Sequence, residues 1–151
     1  RIRNANGKYA LGIAIAGGTG KGSCSGIQTI YHFFYHRQMR GIDPTPVSRF
    51  NFEKALDSLF ESGRKLVDLF KEKKPFENLQ DRIEYYERLD YMNYTFLDEI
   101  MLLAKHLIET SRSPNLYEAR KECEKAGELI NQGKRVEAAG HAVKAYDLLY
   151  F

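Results

Sequence analysis

The residues with the plainest chemical use are Gly17-Gly-Thr-Gly-Lys-Gly-Ser23. Closely spaced glycines let backbone N–H groups turn toward one point. A helix opening just beyond them adds positive potential, and the ligand that suits both is a phosphate. Lys21 supplies a cation, and Thr19 and Ser23 supply hydroxyls. The segment is not a Walker loop. That motif, Gly-x4-Gly-Lys-Ser/Thr, would put Ile15 at its first glycine and Gly22 where a hydroxyl should meet the metal. It is not the dinucleotide fingerprint either, because Ser23 stands at the third glycine. The competing use is a plain surface connector.

Three other constellations carry chemistry on paper. His32 and His36 lie one helical turn apart in His-Phe-Phe-Tyr-His, a spacing that presents two imidazoles to Zn²⁺. No Glu lies between them, so the metalloprotease pattern is absent and the plainer reading is an amphipathic helix face. Arg135 and His141, with five residues between, resemble the Arg-x4–6-His pair of HEPN-family RNases, in which the His acts as acid or base. Val136 replaces the polar residue usual after that Arg. Tyr85, Tyr86, Tyr91 and Tyr94, set among Arg82 and Arg88, form a pattern that stacks on bases, with Arg37, Arg40, Lys71, Lys73 and Lys74 adding charge. Asp81, Glu84, Glu87 and Asp90 interrupt it, which reads equally as a solvated helix face. The carboxylates Asp98, Glu99, Glu118 and Glu122 read as helix surface. Cys24 and Cys123 have no metal spacing and read as reduced thiols. No Ser/His/Asp or Cys/His nucleophile signature is present.

The elements that must position these groups fall into two textures. Residues 1–49 are rich in glycine, with Pro44 and Pro46 near their end; residues 50–151 are helix-forming almost throughout. Tyr9–Ala16 reads as a buried strand or a short buried helix, and Ile27, Ile30, Tyr31 and Phe34 mark a helix to about Met39. Ala55, Leu56, Leu59, Phe60, Leu66, Val67 and Phe70 share one stripe of a helix from about Phe52 to Lys73, capped by Asn51 and stopped by Pro75. Leu79, Ile83, Tyr86 and Leu89 mark another, from Asn78 to about Tyr91. Thr95 and Asp98 form a capping box before an apolar helix. Ser113-Pro114 reads as the cap and first residue of the next, which Gly133 ends in a left-handed turn. A last helix carries Val136 to Leu149. The final two should make an antiparallel hairpin lined by Ala119, Ala126, Ala138, Ala139 and Ala142.

The 151 residues, 43% hydrophobic, suffice for one domain with its own core. The net charge of +3, with a pI near 8.8, permits nucleic acid without demanding it. No apolar run reaches the roughly 18 residues of a membrane span. The chain opens on Arg1, which fits a processed or partial chain.

Ala16 to Ser23, preceded by an apolar run and followed by a helix, resembles the phosphate-binding signature loop of the tubulin/FtsZ family. Arg49-Phe-Asn-Phe-Glu53 resembles that family's Pro-Phe-Asn-Phe-Glu, and Arg135-Val-Glu-Ala-Ala139 with Ala142 its Arg-Ala-x-Glu-Ala-Ala helix. The resemblance implies GTP as ligand, with Gly17, Gly18, Thr19, Gly20, Lys21, Gly22 and Ser23 at the phosphates, and a self-assembling filament protein.

The expectation is therefore a mainly α single domain over 1–151: five to seven helices behind a glycine-rich segment with one or two short strands. The leading functional expectation is a non-catalytic helical interaction module of the cytoplasm. It would be a subunit of a larger assembly, joined to a protein partner or to itself and able to touch nucleic acid. GTP-phosphate binding and HEPN-like RNA cleavage are the alternatives.

Overall fold

A computed structural model describes residues 5–151, and the fold is mainly α. In order along the chain come β1 (Tyr9–Ala16), α1 (Ser23–His36), β2 (Arg40–Ser48), α2 (Phe52–Leu69), α3 (Leu79–Glu87), α4 (Phe96–Thr110), α5 (Leu116–Asn131) and α6 (Arg135–Tyr150). Contacts divide these into two units. One takes the chain up to Ala16, Gly22–Val47 and Phe52–Asn93; the other takes Gly17–Lys21, Ser48–Asn51 and Tyr94–Phe151. The change of texture at residue 49 is thus not where contacts divide: α2 and α3 belong with the strands.

In the first unit Tyr9–Ala16 is a strand, which settles the choice left open by its sequence. β1 and β2 run the same way. At their entering ends Arg40 N–H donates to Lys8 O (2.7 Å), and Gly7 N–H donates to Gln38 O (3.3 Å). Parallel neighbours need a crossover, and α1 is that crossover. Tyr31 on α1 is fully buried and joins both strands: its hydroxyl accepts from Gly12 N–H (3.3 Å) and donates to Ile42 O. The ring lies where side chains would stand at Gly12 and Gly41, since a Cβ at either would come within 2.5 Å of it. These two glycines are packing requirements.

Around Tyr31 gather Ile27, Phe76 and Tyr86, with Tyr85 and Tyr35 beside them. Tyr85 donates to Gly41 O (2.7 Å) and Tyr86 to Met39 O (2.7 Å). Arg40 is only 5% exposed. It donates to Lys74 O (2.6 Å), reaches Asp81 at 3.5 Å and lies over the Phe76 ring at 4.1 Å. On α2, Ala55 and Ser62 are buried and Leu59 and Leu66 half-buried; the helix ends at Leu69, six residues short of Pro75.

The second unit is a three-helix bundle around Leu103, Ala104, Ala126, Ala142, Ala145 and Tyr146. Asp98 accepts from the N–H (2.9 Å) and the hydroxyl (2.7 Å) of Thr95, so this start was legible. α5 begins at Leu116, two residues after Pro114, with Asn115 as its cap residue. Gly133 has φ 77°, and Lys134 N–H donates back to Leu129 O and Gly133 N–H to Ile130 O, the paired bonds of a left-handed helix stop. Links from Glu122 to His141 and from Glu118 to Lys144 run in opposite order along the two helices, so α5 and α6 are antiparallel. Ala119, Ala126, Ala138 and Ala142 are each fully buried, as a close approach of the two axes requires.

Candidate phosphate-binding loop

β1 delivers the chain directly into Gly17–Ser23, and α1 opens at Ser23. Positive φ falls on alternate residues of the loop: Gly18 (54°), Gly20 (77°) and Gly22 (94°). Thr19 and Lys21, between them, keep the ordinary hand. Alternation of hand makes successive N–H groups converge on one side, the arrangement that forms anion-binding concavities. Gly17 and Gly18 are exposed, and a Cβ on either would meet nothing within 4 Å, so their backbone is open to a ligand. Gly22 gives α1 no side-chain cap bond, and no acidic residue occupies its first turn. The positive end of this 14-residue helix is therefore not answered by a carboxylate of its own.

Gly20 has the opposite job. It is buried, and its Cβ would come 2.8 Å from Leu103 Cδ2, 3.1 Å from Ser48 Cβ and 3.2 Å from Phe50 Cε2. The loop after β1 thus lies against the end of β2 and the residue two beyond it, Phe50. Loops outside the carboxyl ends of parallel strands are the usual ligand position in open α/β sheets. Thr19 O accepts from the Tyr146 hydroxyl (2.9 Å), and Gly20 N–H closes back on Gly17 O (3.0 Å). Burial raises the Tyr146 pKa to about 12, so the phenol stays a donor through neutral pH.

Two cations flank the loop. Lys21 Nζ stands 5.0 Å from the centre of the Tyr146 ring, and the Arg49 guanidinium 5.2 Å from that of Tyr150. The two tyrosines are stacked, with centroids 5.1 Å apart. Both residues are exposed, and among the described residues neither forms an ion pair with a carboxylate. Sequence reading found Lys21. It met Arg49 only within a motif and missed Tyr146, because nothing local shows that α6 returns to the loop.

No protein-family model, no curated protein and no solved structure matches this chain. The loop therefore stands on its own geometry.

The other expected sites fare differently. His32 and His36 are both exposed and line a cavity of about 490 Å³ with Tyr35, Glu87 and Met92. Among the described residues no three His, Cys, Asp or Glu side chains gather as a metal site. Arg135 and His141 turn to different neighbours. Arg135 binds Asp98 (2.9 Å) and the Thr95 hydroxyl (2.8 Å), whereas His141 Nδ1 is 2.5 Å from Glu122. Residues six apart on a helix lie on different faces, and within this chain the two side chains engage different partners.

Tyr85 and Tyr86 do not form an exposed stacking platform: the Tyr86 ring is in the core with Tyr85 half-buried against it, and their hydroxyls donate to Met39 O and Gly41 O at the start of β2. Arg40 is likewise buried, not surface charge. The acidic residues also depart from a plain helix surface. Glu99 is 8% exposed. Glu122 bonds His141 and Lys144, which hold its carboxyl below the usual range, while Glu118 and Glu122 together raise the Lys144 pKa. Burial pushes the Asp98 carboxyl up, but bonds from Thr95 and Arg135 outweigh it and the net direction is down. Cys24 and Cys123 are both buried, with burial raising the Cys123 thiol.

Proposed function

We propose that the chain binds the phosphate groups of a nucleotide on Gly17–Ser23. The observation that carries this reading is that Tyr9–Ala16 is a strand feeding directly into a loop of alternating hand, which opens a helix with no acidic residue in its first turn. Gly20 N–H closes on Gly17 O and Lys21 N–H on the Thr19 hydroxyl (3.4 Å), so the exposed backbone at Gly17 and Gly18 meets the phosphate oxygens, and Lys21 and Arg49 supply the countercharge. The resemblance to the tubulin/FtsZ loop points to GTP as the nucleotide. The residues fit a phosphate: the backbone at Gly17 and Gly18 is open, and no carboxylate occupies the first turn of α1.

The test is a titration of the purified chain with a fluorescent GTP analogue, using GTP, ATP and inorganic phosphate as competitors. Saturable binding should fall at least tenfold in Gly18→Val, whose side chain blocks the backbone approach, and in Lys21→Ala. Binding that is absent, or unchanged in both variants, refutes the reading.

A second reading, the non-catalytic interaction module, is favoured by one separate observation. α2 leaves a row of large apolar side chains exposed along its length, among them Phe60 at 62% and Val67 at 72%. Rows of this size mark contact surfaces.

A further inference from the structure

α2 carries an apolar band roughly twice as wide as its own unit covers. One row, Ala55, Leu59, Ser62 and Leu66, is buried or half-buried. The neighbouring row, Leu56, Phe60, Gly63 and Val67, extended by Phe70 just past the helix end, faces outward; its large members are 46%, 62%, 72% and 83% exposed in chain order. The outward row advances by four, three, four and three residues, which is the spacing of a two-helix seam. A Cβ at Gly63 would meet nothing within 4 Å, so the row has a gap beside its bulkiest helical member, Phe60.

Charge along the helix says what fits there. Asp57 and Arg64 occupy the same flank of the seam, one heptad apart, and both are exposed. Beside a second α2 running the opposite way, each Asp57 meets the other helix's Arg64. Run parallel, the two helices would turn Asp57 and Arg64 toward the partner's opposite flank, that of Phe52, Leu59 and Leu66, where neither meets an opposite charge. The antiparallel register also places Phe60 over the gap at Gly63 and Leu56 against Val67, twice by symmetry, and opposes the helix dipoles. In the single chain Arg64 lies 3.7 Å from Glu61 and over the Phe60 ring at 4.7 Å; as a 66%-exposed side chain it is available to swing across.

We propose that α2 is a self-association surface, pairing antiparallel with α2 of a second copy of this chain about a two-fold axis between Glu61 and Ser62. This rests on the interaction reading and is independent of the phosphate loop. α2 has 18 residues and so spans about 27 Å, which gives a small interface and a dimer that dissociates on dilution.

Sedimentation equilibrium over about 1 µM to 1 mM chain should show a monomer–dimer equilibrium. Phe60→Glu should weaken it at least tenfold, with circular dichroism unchanged because Phe60 is exposed. Asp57→Arg alone and Arg64→Asp alone should each weaken it. An equimolar mixture of those two variants should restore dimers, as should both changes in one chain. A chain monomeric throughout, a dimer indifferent to Phe60→Glu, or charge reversals that fail to complement each other overturns the proposal. Binding of an apolar-surface dye separates the two readings. A monomer that binds dye, and loses it in Phe60→Glu, sinks self-pairing and leaves the interaction module standing; a monomer that binds none sinks both.

Discussion

Alanine at Gly20, Gly18 and Gly17 separates what each glycine does in the loop. At Gly20 two costs add. A non-glycine residue in the left-handed region, here φ 77°, costs about 1–2 kcal/mol. The new Cβ would also press on Leu103, Ser48 and Phe50 at 2.8, 3.1 and 3.2 Å, and overpacking a buried site costs about 1–3 kcal/mol. Gly20→Ala should therefore destabilise by roughly 2–5 kcal/mol. Gly18→Ala bears only the conformational cost, because φ is 54° and the space is open; about 1–2 kcal/mol is expected, less a few tenths from restricting the unfolded chain. Gly17→Ala bears neither and should lie within about 0.5 kcal/mol of the parent. Urea unfolding followed by circular dichroism and tyrosine fluorescence measures all three, and a constant slope keeps the midpoints comparable. If Gly20→Ala proves no more costly than Gly18→Ala, the packing of the loop on Ser48, Phe50 and Leu103 is wrong. Gly17→Ala as the worst of the three would refute the whole assignment of roles.

Two further changes test the units separately. Tyr31→Phe removes the hydroxyl that bonds Gly12 N–H and Ile42 O inside the first unit; it should cost about 1–3 kcal/mol in urea unfolding, and a loss under about 0.5 kcal/mol would show that the strands do not depend on it. Burial raises the Tyr31 pKa to about 12, so its contribution is complete below the unfolded value near 10 and disappears as pH climbs through the folded one. Absorbance titration of wild type against Tyr31→Phe should accordingly remove one late-ionising tyrosine. In the second unit Glu122 is held below its ordinary range by His141 and Lys144, so its contribution is present above about pH 4.3 and lost as pH falls through the depressed folded value. Glu122→Gln should lower stability at neutral pH and flatten this part of the acid limb; an unchanged limb would refute the link. Lys144 shifts upward, so its share persists below the ordinary lysine range and is lost only at higher pH, and added salt should shrink it because the amine is half exposed.

The local sequence sufficed for features closed within a turn or two. The Thr95/Asp98 start, the Gly133 stop and the alanine-lined hairpin were legible because each is made of neighbours along the chain. The glycine loop was legible for the same reason, since glycine spacing alone dictates backbone freedom. β2 was not. Pro44 and Pro46 withhold two ladder donors, and only a strand at a sheet edge tolerates that, which the structure shows β2 to be. The choice between strand and helix for Tyr9–Ala16 also waited on a partner, because a short apolar run fits either until another strand lies beside it.

The tertiary structure decided which polar groups go inside. Tyr85, Tyr86 and Arg40 look like surface residues one by one. Tyr86 and Arg40 are buried and Tyr85 half-buried, because carbonyls of Met39, Gly41 and Lys74 and the Phe76 ring, all distant in sequence, meet their polar ends. In the same way, the width of the apolar band on α2 was written in its periodicity. That only half of it would be covered depends on what the rest of the chain packs against it.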